Sequence, residues 1–391
     1  MGIWKRNLEN KKNVVVLDIG SQFLKAVLME IDKKEGKGIV LGWAKEPLQK
    51  NLEESCKKII EKAEKSAKTK AEQIFLGMSS DFIKGISATL CYRRENPKQK
   101  IDLPELKFLV QKVQWRAFDN IRKAFALETN LPDTDVRLIN ANIVSIKIDE
   151  SPIHDPLGFE GESFCLTIFN NYTSIEKLKE ILFLISRLNL ELTGINSVPY
   201  AICDCLNSES QNKDFILIDV GGKTTEITLA RKHGETIDTD NFCLGGNLFS
   251  KTLADFLEVG ANEAEIIKIK YSKGEVSAEA KKKIEKILSP NISCWANGVK
   301  VLLDEFSKKY GALPKKVFLC GEASFLPGIK EILEKKGLKP DFVLPIEIIK
   351  IQNKTKFQEI SCLALANLSL EFPENNLFAP ILKRVIRLIQ D

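Results

Sequence analysis

The chain has 391 residues, of which 44% are hydrophobic and 28% charged, a composition that suits folded domains and excludes a disordered or collagen-like chain. Its 58 Lys and Arg against 53 Asp and Glu leave a net charge of +5, too mild to mark a nucleic-acid binder. No apolar run reaches the roughly 18–20 residues of a membrane span, residues 1–12 lack the apolar core of a secretory signal, and Arg6 stands where a myristoylation signal wants Ser or Thr.

In chain order, Val14 to Asp18 reads as a buried strand, Gly20-Ser21 as a turn and Phe23 to Ile31 as a second strand. Ile39 to Ala44 reads as a third strand, Leu52 to Ser66 as a helix with Ile59, Ile60 and Ala63 on one face, and Ile74 to Met78 as a fourth strand. A long helix over about Pro104 to Phe125 and a strand over Val136 to Ile148 follow. Tyr92 to Lys100 is basic without aromatic interleaving and reads as an exposed loop or partner surface. Phe215 to Asp219, Thr225 to Arg231 and Thr236 to Cys243 are strands, and Asn247 is placed to cap a helix carrying Leu248, Leu253, Phe256 and Leu257. The run Lys281 to Lys286 is the wet face of a helix. Val317 to Ile329 reads as strand, glycine turn, then a helix starting near Leu326-Pro327.

Two of these stretches are copies of one another. VVVLDIGSQFLKAVL over residues 14–28 matches FILIDVGGKTTEITL over residues 215–229 at a constant offset of 201, with Asp18 on Asp219 and Gly20 on Gly221. An Asp ending a buried strand before a glycine turn suits two tasks. The turn's N–H groups can face phosphate oxygens, and the carboxylate can hold a hydrated Mg²⁺. One such turn also serves as a plain β-turn; two at the same phase point to a pair of α/β lobes gripping a triphosphate and its metal across a cleft. Gly321 adds a backbone position that a flat base can approach closely. The nine cysteines form no CxxC pair and read as reduced, buried thiols. The two histidines, His154 and His233, are too few for a His-based metal site or catalytic triad.

These motifs resemble the actin, Hsp70 and sugar-kinase ATPase superfamily, most closely its bacterial FtsA/PilM branch. Asp18-Ile-Gly-Ser21 is similar to the first phosphate loop, Asp219 to Glu226 to the second, and Cys320 to Gly328 to the adenosine loop. Leu244-Gly-Gly-Asn247, Glu263 to Lys268 and Lys270 to Gly274 resemble the branch's stretch after the second loop, and Gly194 to Ala201 its connecting segment. The fold implied is α/β: a two-lobed actin-like (ribonuclease H-like) ATPase fold with an inserted 1C subdomain. Its expected divisions are an N-terminal basic segment (1–12), lobe 1 (13–80 and 163–206), the 1C insertion (81–162), lobe 2 (207–245 and 313–371), subdomain 2B (246–312), and a linker with a tail helix (372–391).

The resemblance implies ATP and Mg²⁺ as cofactors. Asp18 and Asp219 are the expected metal residues. Gly20, Ser21, Gln22, Gly221, Gly222, Lys223, Thr224, Glu265, Lys268, Gly321, Glu322 and Ala323 are the expected nucleotide contacts. Lys223, Glu226 and Glu322 depart from the family pattern, and Asn196, Ser197 and Val198 offer no general base, so slow or absent hydrolysis is expected. The tail carries Ile381, Leu382, Val385, Ile386, Leu388 and Ile389 on one arc and Lys383, Arg384 and Arg387 opposite, an amphipathic helix suited to an anionic membrane interface. With Asp155 to Gly161, this tail resembles FtsA more than PilM. That likeness implies a filament-forming tether at the division septum, on the cytoplasmic face of the inner membrane. Its expected partners are the FtsZ C-terminal tail peptide, inner-membrane lipids, copies of itself and other division proteins, with no nucleic acid. The alternatives are a PilM-like cytoplasmic scaffold that binds a short peptide of an inner-membrane pilus protein, or an active ATPase or kinase of the same superfamily.

Overall fold

The computed structural model describes residues 11–32, 36–80, 82–129, 135–209, 213–231, 237–344, 352–353, 355 and 357–370. The expected tail helix, with Ile381 to Ile389, lies outside these residues, as does most of the expected N-terminal segment; Lys11 and Lys12 already belong to the first strand.

Two sheets organise the chain. The first contains β1 (Lys11–Ile19), β2 (Phe23–Asp32), β3 (Lys37–Pro47), β4 (Gln73–Met78), β9 (Glu191–Ser197) and β15 (Gln352–Asn353), in the order β15-β3-β2-β1-β4-β9. The second contains β5 (Lys84–Arg93), β6 (Val136–Ile148), β7 (Ser151–Pro152), β8 (Ser163–Ser174), β10 (Phe215–Val220), β11 (Thr225–Ala230), β12 (Ile237–Phe242), β13 (Lys316–Cys320) and β14 (Lys339–Phe342). Its order is β14-β13-β10-β11-β12-β5-β8-β6-β7. The repeat is visible in the pairing. β1 lies antiparallel to β2 and parallel to β4, and β10 lies antiparallel to β11 and parallel to β13.

Strand alternation then sorts the side chains into layers. Val15, Leu17 and Ile19 face a core built with helices α1 (Leu52–Ala67) and α3 (Ile175–Leu188). Ile216, Ile218 and Val220 face one built with α5 (Gly246–Leu257), α6 (Ala261–Ser272), α7 (Ala278–Tyr310) and α8 (Ile329–Lys335). Val14, Val16, Phe215 and Leu217 share a central core with α4 (Val198–Glu209) and α9 (Ile360–Leu370). The eleven residues of α9 are apolar around nearly the whole circumference because the helix is enclosed; Cys362 to Leu368 are all buried. The phase that points Val14, Val16, Phe215 and Leu217 inward also turns Asp18 and Asp219 toward the space between the lobes.

The inserted region has its own core, where α2 (Leu103–Thr129) lays Leu106, Leu109, Val110 and Val113 on β5, β6 and β8. Five expectations need correction here. The strand Ser163–Ser174, expected in lobe 1, pairs along its length with β5 and β6 in the insertion's sheet, because the chain returns as the partner of the strand by which it left. Tyr92 and Arg93 end β5. Arg94 is buried: its guanidinium donates to both Glu105 oxygens at 2.7 and 2.9 Å and to the Gln99 and Gly161 carbonyls. It therefore anchors the insertion from inside. Cys91 and Cys165 form a disulfide, their Cα atoms 4.0 Å apart, because the β5–β8 register sets them opposite one another. Finally, Gly245, not Asn247, caps α5, and the helix expected at Pro327 begins at Ile329, after a 3-10 turn over Glu322–Phe325.

Candidate functional site

The two repeated turns close in the same way. Gly20 N–H donates to the Phe23 carbonyl at 3.2 Å, and Gly221 N–H donates to the Thr224 carbonyl at 3.0 Å, again 201 residues apart. The turns also touch across the cleft, where the Lys223 N–H donates to Ser21 Oγ at 3.1 Å. The start of α5 braces the second turn: the Gly246 and Asn247 N–H groups donate to the Gly221 and Gly222 carbonyls, each at 2.8 Å. A side chain at Gly245 would place a Cβ 2.6 Å from the Gly221 carbonyl, so the Leu244-Gly-Gly-Asn247 segment needs glycine to approach the loop.

Asp18 and Asp219 face one cavity of about 910 Å³ between the lobes. Gly20, Ser21, Gln22, Gly221, Gly222 and Thr224, of the two turns, line it. Glu265, Lys268, Gly321, Glu322 and Ala323 line it as well. Of the expected nucleotide contacts, Lys223 is not in this lining; it contributes its backbone N–H to the contact between the loops. Gly321 takes φ +82°, and a Cβ there would lie 2.2 Å from Asp219 Oδ1, so the loop can pass over the carboxylate only as glycine. Lys268, Glu265 and Ser250 form one unit: the Lys268 ammonium is 2.8 Å from Glu265 Oε2, to which Ser250 Oγ also donates. Asn196 lies buried, accepting from Asn171 at 2.8 Å, while Val198 reaches the cavity, so the connecting segment brings no acid to it.

The cavity also contains groups beyond the expected set. Lys25 pairs in register with Asp18 across the hairpin, and its ammonium lies 3.6 Å from the Asp18 carboxylate. Glu226 stands opposite Asp219 in the matching position of the second copy, and its carboxylate accepts from the Ser80 N–H of the other lobe. Both were legible from hairpin arithmetic, since a turn closed between Gly20 and Phe23 sets the pairing of every residue behind it. Ser361, which donates to Asp18 at 2.6 Å, and Glu359 arrive with α9 and carry no sequence signal. At the far end, Phe325 stacks on Phe342 with ring centroids 4.8 Å apart, and both line the cavity with Ile269 and Leu344. An apolar, aromatic wall of this kind accommodates a flat ring.

Burial pushes the Asp219 carboxyl up to about 6; Lys25 opposes the rise, and Asp18 and Glu322 add to it. Burial works against the charge of Lys25, but Asp18, Glu359, Glu322 and Asp219 outweigh it and hold the ammonium well above its usual range. Among the described residues no cluster of three or more His, Cys, Asp or Glu gathers as a metal site. Two carboxylates facing one cavity fit Mg²⁺, which keeps several waters and takes its remaining ligands from phosphates.

Residues 190–368 match the family model described as type IV pilus assembly protein PilM, a span that covers less than half of the chain. A solved PilM-PilN type IV pilus biogenesis complex contains a similar chain: 18% identical, covering 92% of this chain and 98% of that one, with a TM-score of 0.64. The fold is that of the actin-like ATPases. The ethanolamine utilization protein EutJ from Carboxydothermus hydrogenoformans is also similar, at 16% identity, with 93% and 89% of the two chains covered and a TM-score of 0.48. No curated protein matches the chain. Within the actin-like fold, Asp18 and Asp219 end the repeated strands of the two lobes, and the PilM match takes in the second turn, α5 to α8 and the Glu322 loop. It favours PilM over the FtsA reading drawn from the tail.

Proposed function

We propose that the chain is a nucleotide-binding scaffold of the PilM type. It would bind MgATP between its lobes, turn it over slowly or not at all, and present a surface to a short peptide of a membrane-bound pilus assembly partner. The PilM family match over residues 190–368 carries this reading. Nothing in the comparisons supports anchoring of FtsZ, and that reading is set aside.

The cleft suits a metal-bound triphosphate on its own chemistry. The two glycine turns would meet the phosphates, Asp18 and Asp219 would hold the metal, and Lys25 would add charge beside them. Glu265 would offer a carboxylate acceptor for ribose hydroxyls, held in place by its 2.8 Å contact with Lys268. Bound Mg²⁺ would neutralise phosphate charge. In the ligand-free site the Asp219 carboxyl takes up a proton below about 6, so a metal would have to displace that proton to use the carboxylate as a ligand at acid pH. The location proposed is the cytoplasmic face of the inner membrane, with the amphipathic tail adding lipid contact to that of the partner.

Co-expression of the full chain with the PilN-type protein of the same genome tests the partner. Co-purification of the two, competed away by the partner's short cytoplasmic peptide, is the expected result. Capture of an FtsZ tail peptide with no retention of the pilus protein would overturn it.

A further inference from the structure

Carboxylates outnumber lysines six to four along the cavity wall, an unusual lining for a site that receives a polyanion. Three of the four lysines are also engaged. Lys268 is tied to Glu265. Lys45, on β3 of lobe 1, has its ammonium 2.6 Å from Glu322 Oε1 and 2.9 Å from Glu359 Oε1. Lys25 lies 3.5 Å from the other oxygen of Glu359 and 3.2 Å from Ser361 Oγ. Glu359 thus straddles the two lysines, and Glu322 reaches Lys45 from the opposite lobe. In this state Lys45 and Lys25 neutralise the protein's own carboxylates.

We propose that Glu322 and Glu359 are internal counter-anions that occupy Lys45 and Lys25 until a polyphosphate displaces them, so that these two carboxylates set the affinity of the cleft for its ligand. The inference rests on the nucleotide reading of the site and deepens it. Lys45 and Lys25 are only 26% and 15% exposed, so their attraction to any anion is weakly screened. A phosphate entering beside Asp18 meets lysines whose charge is already answered, and meets the repulsion of Glu322 and Glu359 as well. Burial works against ionisation of Glu359, yet Lys25 and Lys45 hold its carboxyl below the usual range, which keeps it charged for this role. Because Glu322 belongs to lobe 2 and Lys45 to lobe 1, displacement also releases an ion pair that ties the lobes.

The test uses the full-length protein and calorimetric titration with MgATP and, separately, with magnesium tripolyphosphate. Glu322→Gln and Glu359→Gln each keep a similar shape and lose the charge. Each is expected to bind both ligands about three- to tenfold tighter than the unaltered protein, since every 1.4 kcal/mol is tenfold. The gain shrinks at high ionic strength. Lys45→Gln is expected to bind both more weakly. Thermal melts of the ligand-free variants confirm that each is folded. Equal or weaker binding by the glutamine variants, beside measurable binding by the unaltered protein, would overturn the proposal, as would a gain for MgATP without one for tripolyphosphate. Absence of binding in the unaltered protein and in every variant is a different pattern: it removes the nucleotide reading and this inference with it.

Discussion

Asp219 shows how a single side chain trades stability for a ligand. Its folded value of about 6 lies above the 3.8 of an ordinary aspartate, so between these values the native state holds more protons than the unfolded chain. Stability is full below the lower value and falls as pH rises through the upper one. Asp219→Asn, which removes the cost of the buried charge, is therefore expected to stabilise the ligand-free protein above pH 6 by roughly 3 kcal/mol, with the advantage fading toward pH 4. Melting curves of both proteins across that range check this. The opposite order, with the variant less stable at pH 7, would show that the carboxylate is compensated by contacts other than those described. Gly321 belongs to the same logic. Its φ of +82° and the closeness of Asp219 leave no room for a Cβ, and the sequence shows this only as one glycine in a loop.

At the scale of elements, the insertion depends on one buried cation. Arg94 joins the end of β5 to α2 through Glu105 and to Gln99, Gly161 and Glu162 through their backbone carbonyls. Arg94→Ala leaves those acceptors unanswered and is expected to cost about 3 kcal/mol, read as an early loss of hydrogen-exchange protection in β5 and α2. A loss spread evenly over both lobes would contradict a local role. The tail makes a separate element-level prediction. Deletion of Ile381 to Asp391 is expected to abolish flotation with anionic liposomes, because each basic residue near the surface contributes about 1 kcal/mol and apolar burial adds to it. Undiminished flotation would place membrane contact elsewhere.

Much of this architecture was legible before any coordinates. Strands such as Phe215–Val220 and helix Leu52–Ala67 stand within a residue of their expected bounds, because hydrophobic period and turn residues are local signals. The repeat revealed both aspartates, since equal phase in equal strands forces equal facing. What stayed hidden was non-local. Cys91 meets Cys165 only through a register between strands 74 positions apart in sequence, and Arg94 reads as an exposed basic residue until Glu105 is folded against it. Ser361 and Glu359 reach the cleft because α9 returns to the first lobe at the end of the described chain, and no pattern in residues 357–361 announces this.

Across the whole molecule, the two sheets hold the repeated turns face to face, α4 and α9 fill the space between them, and the insertion extends the second sheet through the pairing of Asp238 with Ile86. The central claim is that this arrangement exists to clasp a metal nucleotide. Titration of the full chain with ATP, with and without Mg²⁺, in the unaltered protein and in Asp18→Asn and Asp219→Asn, tests it most directly. The account predicts one Mg²⁺-dependent site per chain, lost in both variants at pH 7.5. Binding that persists undiminished in both variants, or no binding by the unaltered protein, would contradict it.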